Sequence, residues 1–205
     1  MKRIEKTMKR SMLIAAVVSI PSACTKRADD LMVLGKAPAF RFTNQEGKTI
    51  TDHFYDDKVY VAEFFFTSCP TICPILNRHM VALQNKFTGN AEFGIASFTV
   101  DPKTDTPEVL HRYAKNLGAT SENWNFLTGA PEAIYDLAVR GYFASAQPDT
   151  AAPGGFFHTQ YFMLVDKEGN IRVPRDAHGN PVFYDGTKSK DITRLERDIQ
   201  TLLDA

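Results

Sequence analysis

Val59-Tyr-Val-Ala-Glu-Phe-Phe-Phe66 runs directly into Thr67-Ser-Cys-Pro-Thr-Ile-Cys-Pro74. The first stretch is apolar at almost every position, which reads as a strand near the middle of a sheet, buried on both faces. Beyond the second, Leu76, Met80, Leu83 and Phe87 recur at helical spacing and stop near Gly89. A buried strand, a turn holding two cysteines and a helix thus follow one another without a break.

Working outward, Glu92 to Val100 predicts a second strand. Thr106 then caps, and Pro107 opens, a helix with Leu110, Tyr113, Ala114 and Leu117 on one face, stopped by Gly118. Trp124 to Leu127 reads as a short strand. A helix from Pro131 carries Ile134, Leu137 and Ala138 and ends at Gly141. Residues 144–155, rich in Ala, Ser, Pro and Gly, read as a loop. Phe156 to Asp166 and Ile171 to Val173 form a hairpin around Glu168-Gly-Asn170, and a last helix shows Ile192, Leu195, Ile199 and Leu202. Upstream, Phe40 and Phe42 alternate, Asn44 to Gly47 turns and Thr49-Ile-Thr51 resumes, which is a hairpin signature. The order matches an α/β thioredoxin-like three-layer sandwich with a central mixed sheet and an N-terminal hairpin.

With 205 residues, 43% hydrophobic and 23% charged, the chain is one globular domain with an appendage. Twelve Gly and eleven Pro exclude a collagen-like chain, and the apolar content excludes a disordered one. A formal net charge of zero gives no electrostatic case for nucleic acid.

The charge is unevenly placed. Lys2, Arg3, Lys6, Lys9 and Arg10 precede the apolar run Met12 to Ile20, then Ser22-Ala23 and Cys24. Charged start, apolar middle and small residues before a break describe an export signal. The run is too short for a hydrocarbon core of about 30 Å, which needs about 20 helical residues. Residues 1–23 are therefore expected to be a signal peptide, and 24–36 a polar tether. Residues 37–205 form the folded domain. Cys24 stands where bacterial lipoproteins carry the cysteine that becomes lipidated, although Pro21 departs from the usual Leu. Lipid anchoring, plain cleavage or an uncleaved anchor each put the domain outside the cytoplasm, where thiols tend to oxidise.

Cys69 and Cys73 are separated by three residues, between a buried strand and a helix start. Unpaired backbone N–H groups and the helix dipole there lower a thiol pKa. One helical turn brings both sulfurs to one point, which suits either a reversible disulfide or two thiolates on a soft metal such as Cu(I) or Zn. A purely stabilising bridge is the bland alternative, but so short a loop gains little from closure. Thioredoxin-type reductases use two intervening residues rather than three, so the wider spacing leans towards a metal with one further ligand. Of five histidines, His79 and His111 fall within amphipathic helices, His53 in a polar loop and His178 at a turn. His158 opens the C-terminal hairpin after Pro153-Gly-Gly155, and in this fold that hairpin lies beside the cysteine-bearing strand. A solvated or core histidine is its alternative reading.

The motif Thr67-Ser-Cys-Pro-Thr-Ile-Cys-Pro74 resembles the signature of the Sco/SenC family of copper chaperones. Phe98-Thr-Val-Asp-Pro-Lys-Thr-Asp-Thr-Pro107, Trp124-Asn-Phe-Leu-Thr-Gly129 and Phe157-His158 before Phe162-Met-Leu-Val-Asp166 agree in order and spacing, so the resemblance spans roughly residues 35–203. It implies copper held as Cu(I), with Cu(II) as a second state, by Cys69, Cys73 and His158. It also implies delivery of copper to, or reduction of cysteines in, the CuA centre of cytochrome c oxidase subunit II, with a thiol reductant protein and a membrane anchor as further partners. Asp101 matches a family aspartate near the copper, expected to orient a ligand or adjust local charge; a turn residue before Pro102 is its alternative. Phe157 replaces the commoner Asp before the histidine. The competing function is a thiol–disulfide oxidoreductase in which Cys69 attacks and Cys73 resolves. A peroxidase has the shared fold in its favour but no motif.

Overall fold

The computed structural model describes residues 28–205; the expected signal peptide and Cys24 lie outside the described residues. The main sheet runs in the spatial order β1 (Met32–Lys36), β10 (Asn170–Val173), β9 (Tyr161–Val165), β4 (Val59–Phe65), β5 (Phe93–Thr99), β6 (Trp124–Thr128), β2 (Arg41–Asn44) and β3 (Thr49–Thr51). A short β11 (Tyr184–Asp185) also pairs with β9. The strand that decides the fold is central. β4 is buried at every residue, pairs in parallel with β5 from Val59↔Phe93 to Phe65↔Thr99, and pairs antiparallel with β9. Continuous apolar sequence is what a strand covered on both faces requires. The parallel β4–β5–β6 core and antiparallel flanks make the sheet mixed, as expected.

Four helices accompany it: α1 (Cys73–Lys86), α2 (Pro107–Leu117), α3 (Pro131–Asp136) and α4 (Ser189–Leu203). α2 packs against β6 and β2, and α4 against β4 and β11. The signals at the ends of α2 hold in detail. Thr106 accepts a hydrogen bond from the Val109 amide, Pro107 takes the first turn, and Gly118 closes the helix at φ 80°. That left-handed conformation favours glycine.

Three expectations are corrected. The tether of 24–36 is too long: β1 extends the sheet by pairing Met32 with Val173, and Leu31 is buried. Gly35 and Lys36 on a short edge strand blur the alternation that would have marked it. The loop 144–155 holds β7 (Ala146–Pro148), which pairs with β8 (Phe156–His158) in a separate two-stranded ribbon. The expected single strand from 156 to 166 is accordingly two, β8 and β9, because the Thr159 amide turns aside to the Ser145 carbonyl. The helix from Pro131 ends at Gly141 as expected, with a wider last turn over Leu137–Gly141 in which the Tyr142 amide reaches the Leu137 carbonyl.

Candidate metal centre

β4 ends at Phe65, and the chain turns at once: the Cys69 amide donates to the Phe66 carbonyl at 3.2 Å. Cys73 is the first residue of α1, with Pro74 beside it in the first turn, where a missing amide hydrogen is tolerated. The turn is braced from outside. Asp105, fully buried, accepts the Thr67 amide at 3.1 Å and the Thr67 hydroxyl at 2.5 Å, and also the Thr99 hydroxyl at the end of β5. Burial raises the pKa of its carboxyl, and the threonine donors oppose that shift.

Both cysteines are free thiols, and Cys69, Cys73 and His158 place their sulfur and nitrogen atoms within 4.8 Å of one another. Cys73 Sγ lies 3.6 Å from His158 Nε2. His158 Nδ1 lies 3.1 Å from the carbonyl oxygen of Thr159. A carbonyl only accepts, so Nδ1 carries a hydrogen, and Nε2 is the ring nitrogen turned towards the sulfurs. All three residues are less than a tenth exposed.

The sulfurs share a proton unequally. Cys69 is held well below the ordinary thiol range, first by the hydrogen bond from Cys73; burial works against this and His158 adds to it. Cys73 is pushed well above that range by the same bond and by burial. Cys69 is thus the more readily ionised sulfur of the pair and Cys73 the one that holds its proton more firmly. Two soft sulfurs and an imidazole form a donor set suited to Cu(I).

Of the five residues singled out by sequence, the fold unites Cys69, Cys73 and His158, while Cys24 lies outside the described residues. Asp101 stands apart from the three donors. Its carboxylate faces its own turn, with Oδ1 3.4 Å from the Thr104 amide, and borders a cavity of about 270 Å³ shared with Tyr135, Pro148 and Phe156. The other histidines serve elsewhere: His79 bonds the Gly186 carbonyl, His53 Asp56 and His111 Glu46, while His178 is exposed.

Sequence reasoning missed Asp105 and Glu63. Glu63 sits inside β4 at 1% exposure; its Oε1 accepts from Ser97 Oγ at 2.7 Å, and its Oε2 has no partner among the described residues. Burial pushes its carboxyl up to about 7, against the Ser97 hydrogen bond and the attraction of His158. One charged letter in an otherwise apolar strand was the available signal.

The SCO1/SenC family model matches residues 34–181. The chain belongs to the SCO1/SenC family. A SCO1 homologue of Bacillus subtilis is 35% identical over 142 residues, covering 68% of this chain and 72% of that protein. Among solved structures, a SCO1/SenC family lipoprotein from Bacillus anthracis aligns at a TM-score of 0.72 and 29% identity, covering 82% of this chain and 95% of that one. BsSco, described as a cytochrome c oxidase assembly protein with a disulfide switch, aligns at 0.69 and 29%, covering 83% and 95%. These relatives carry the same thioredoxin-like fold.

Proposed function

We propose that this SCO1/SenC protein is a copper chaperone of cytochrome c oxidase assembly, holding Cu(I) through Cys69, Cys73 and His158. The observation that carries the reading is the convergence of two free thiols with an imidazole whose Nε2 faces them. Copper is the cargo. Its transfer proceeds by exchange, with a recipient's thiolates displacing one donor at a time, and the recipient is the CuA-bearing subunit II. Asp101, which shares a cavity with Pro148 and Phe156 of the ribbon that carries His158, helps to orient that ribbon. The family role named for BsSco supports this assignment.

Residues 1–23 act as an export signal, and Cys24 carries the lipid that holds the domain at the outer face of the membrane. The name of the Bacillus anthracis relative as a lipoprotein supports the anchor. Among the described residues no helix is long and apolar enough to cross a membrane.

A second reading has its own observation. The depressed Cys69 pKa suits attack on a target disulfide, after which Cys73 resolves the mixed disulfide and the target leaves with both electrons. The two readings join if the recipient's cysteines must be reduced before copper enters.

The test is an anaerobic Cu(I) titration of the reduced protein against a competing chelator. Wild type takes one tight equivalent, His158→Ala is weaker by more than about tenfold, and either Cys→Ala loses most binding. Equal affinity in His158→Ala removes the histidine from the site. No tight copper, with a readily cycled Cys69–Cys73 disulfide, moves the function to thiol exchange.

A further inference from the structure

The three donors come from two separate pieces of structure. The cysteines belong to the β4–α1 junction, whereas His158 ends β8 in the small ribbon outside the main sheet. Something must therefore seat that ribbon on the cysteine loop. The contact falls on Phe66, which follows β4 and precedes Cys69 by three residues. Its ring is 1% exposed, stands edge-on to the His158 imidazole at 5.7 Å and lies 5.4 Å from Phe156.

The turn entering β8 closes over this ring. Gly154, at φ +81°, approaches so tightly that a Cβ there would stand 2.7 Å from Phe66 Cε2, 2.9 Å from Cζ and 3.3 Å from Pro70 Cδ. A real Cβ does not tolerate such distances, so the ring would have to move. It is wedged against Phe156 and His158, and a shift passes directly to the imidazole. Pro70, the residue after Cys69, crowds the same Cβ position.

We propose that Gly154 is a positioning residue for His158: its missing side chain lets the ribbon close on Phe66, and Phe66 fixes where the imidazole stands beside Cys73. The metal consequence rests on the copper reading above, while the geometric one does not.

Gly155 supplies the control. It too has a left-handed backbone, at φ +87°, but a Cβ there meets nothing within 4 Å. Gly155→Ala therefore imposes the same kind of backbone strain without the collision. In the reduced, metal-free protein, the His158 ring resonances and the Phe66–His158 nuclear Overhauser effect are compared among wild type, Gly154→Ala and Gly155→Ala. Cu(I) affinity is then measured on all three beside His158→Ala. Gly154→Ala is expected to shift the ring resonances, weaken that contact and lower Cu(I) affinity by about tenfold or more, with Gly155→Ala resembling wild type. Adding Phe66→Leu to Gly154→Ala makes room for the new methyl and restores part of the affinity relative to Phe66→Leu alone. This pair also serves if Gly154→Ala folds poorly. Identical behaviour of the two glycine variants, in ring resonances and affinity alike, overturns the proposal. Unchanged copper affinity in His158→Ala brings down the ligand assignment instead, and the metal-free resonances still decide the role of Gly154.

Discussion

The Asp105 carboxylate grips Thr67 twice, at the amide and at the hydroxyl, from 38 residues further along the chain. This ties the loop after β5 to the turn that presents Cys69. Removing it leaves a half-buried amide and two hydroxyls short of their acceptor. Asp105→Ala should lose about 2–4 kcal/mol of stability, measured as a lower urea midpoint. A midpoint equal to wild type would show the grip to be incidental.

Glu63 predicts a pH dependence. Its carboxyl titrates near 7 in the folded protein, against 4.5 for the ordinary value, so between those values the folded state binds more protons than the unfolded one. Stability from this group is therefore full at low pH and falls as pH rises towards 7, by up to about 3 kcal/mol. Glu63→Gln keeps an acceptor for Ser97 and abolishes the titration. Urea unfolding at pH 5 and pH 8 should show a smaller loss in the variant; equal losses would remove Glu63 as the source.

The unequal thiols predict ordered alkylation. In the reduced, metal-free protein at pH 6, iodoacetamide should modify Cys69 well before Cys73, because the Cys69 pKa is lowered and the Cys73 pKa raised. Peptide mapping after short exposure checks this, and preferential labelling of Cys73 would reverse the assignment.

Truncation tests the revised domain boundary. A protein beginning at residue 37 loses β1 and the buried Leu31, leaving β10 as a bare edge. It should be at least about 2 kcal/mol less stable than one beginning at residue 28, by chemical denaturation. Equal stability would make β1 dispensable.

The centre of the fold was legible because its signals are local. An all-apolar strand, a Pro-flanked turn and helical spacing needed no partner to be recognised, and Thr106, Pro107 and Gly118 announced α2. What was missed depends on distant partners. β1 is a strand only because β10 offers it an edge. β7 has three residues, too few for alternation to show, and lies among Pro and Gly. His158 was found because the C-terminal hairpin it opens lies beside the cysteine-bearing strand and the other histidines sat in unsuitable places, yet β7, the strand that pairs with its own, read as loop. Asp105 passed unnoticed beside Asp101 because nothing nearby in sequence reveals that it reaches Thr67.

The antiparallel pairing of β4 with β9 joins segments about a hundred residues apart, and such long closures form late. Cys69 and Cys73 are neighbours as soon as β4 and α1 exist, but the imidazole lies 85 residues beyond Cys73 and arrives only with that closure. A partly folded chain thus presents two thiols without their third partner, the form most open to oxidation or wrong pairing. The complete donor set is a certificate of finished folding: cargo that requires all three atoms is accepted only by a chain that has closed its sheet.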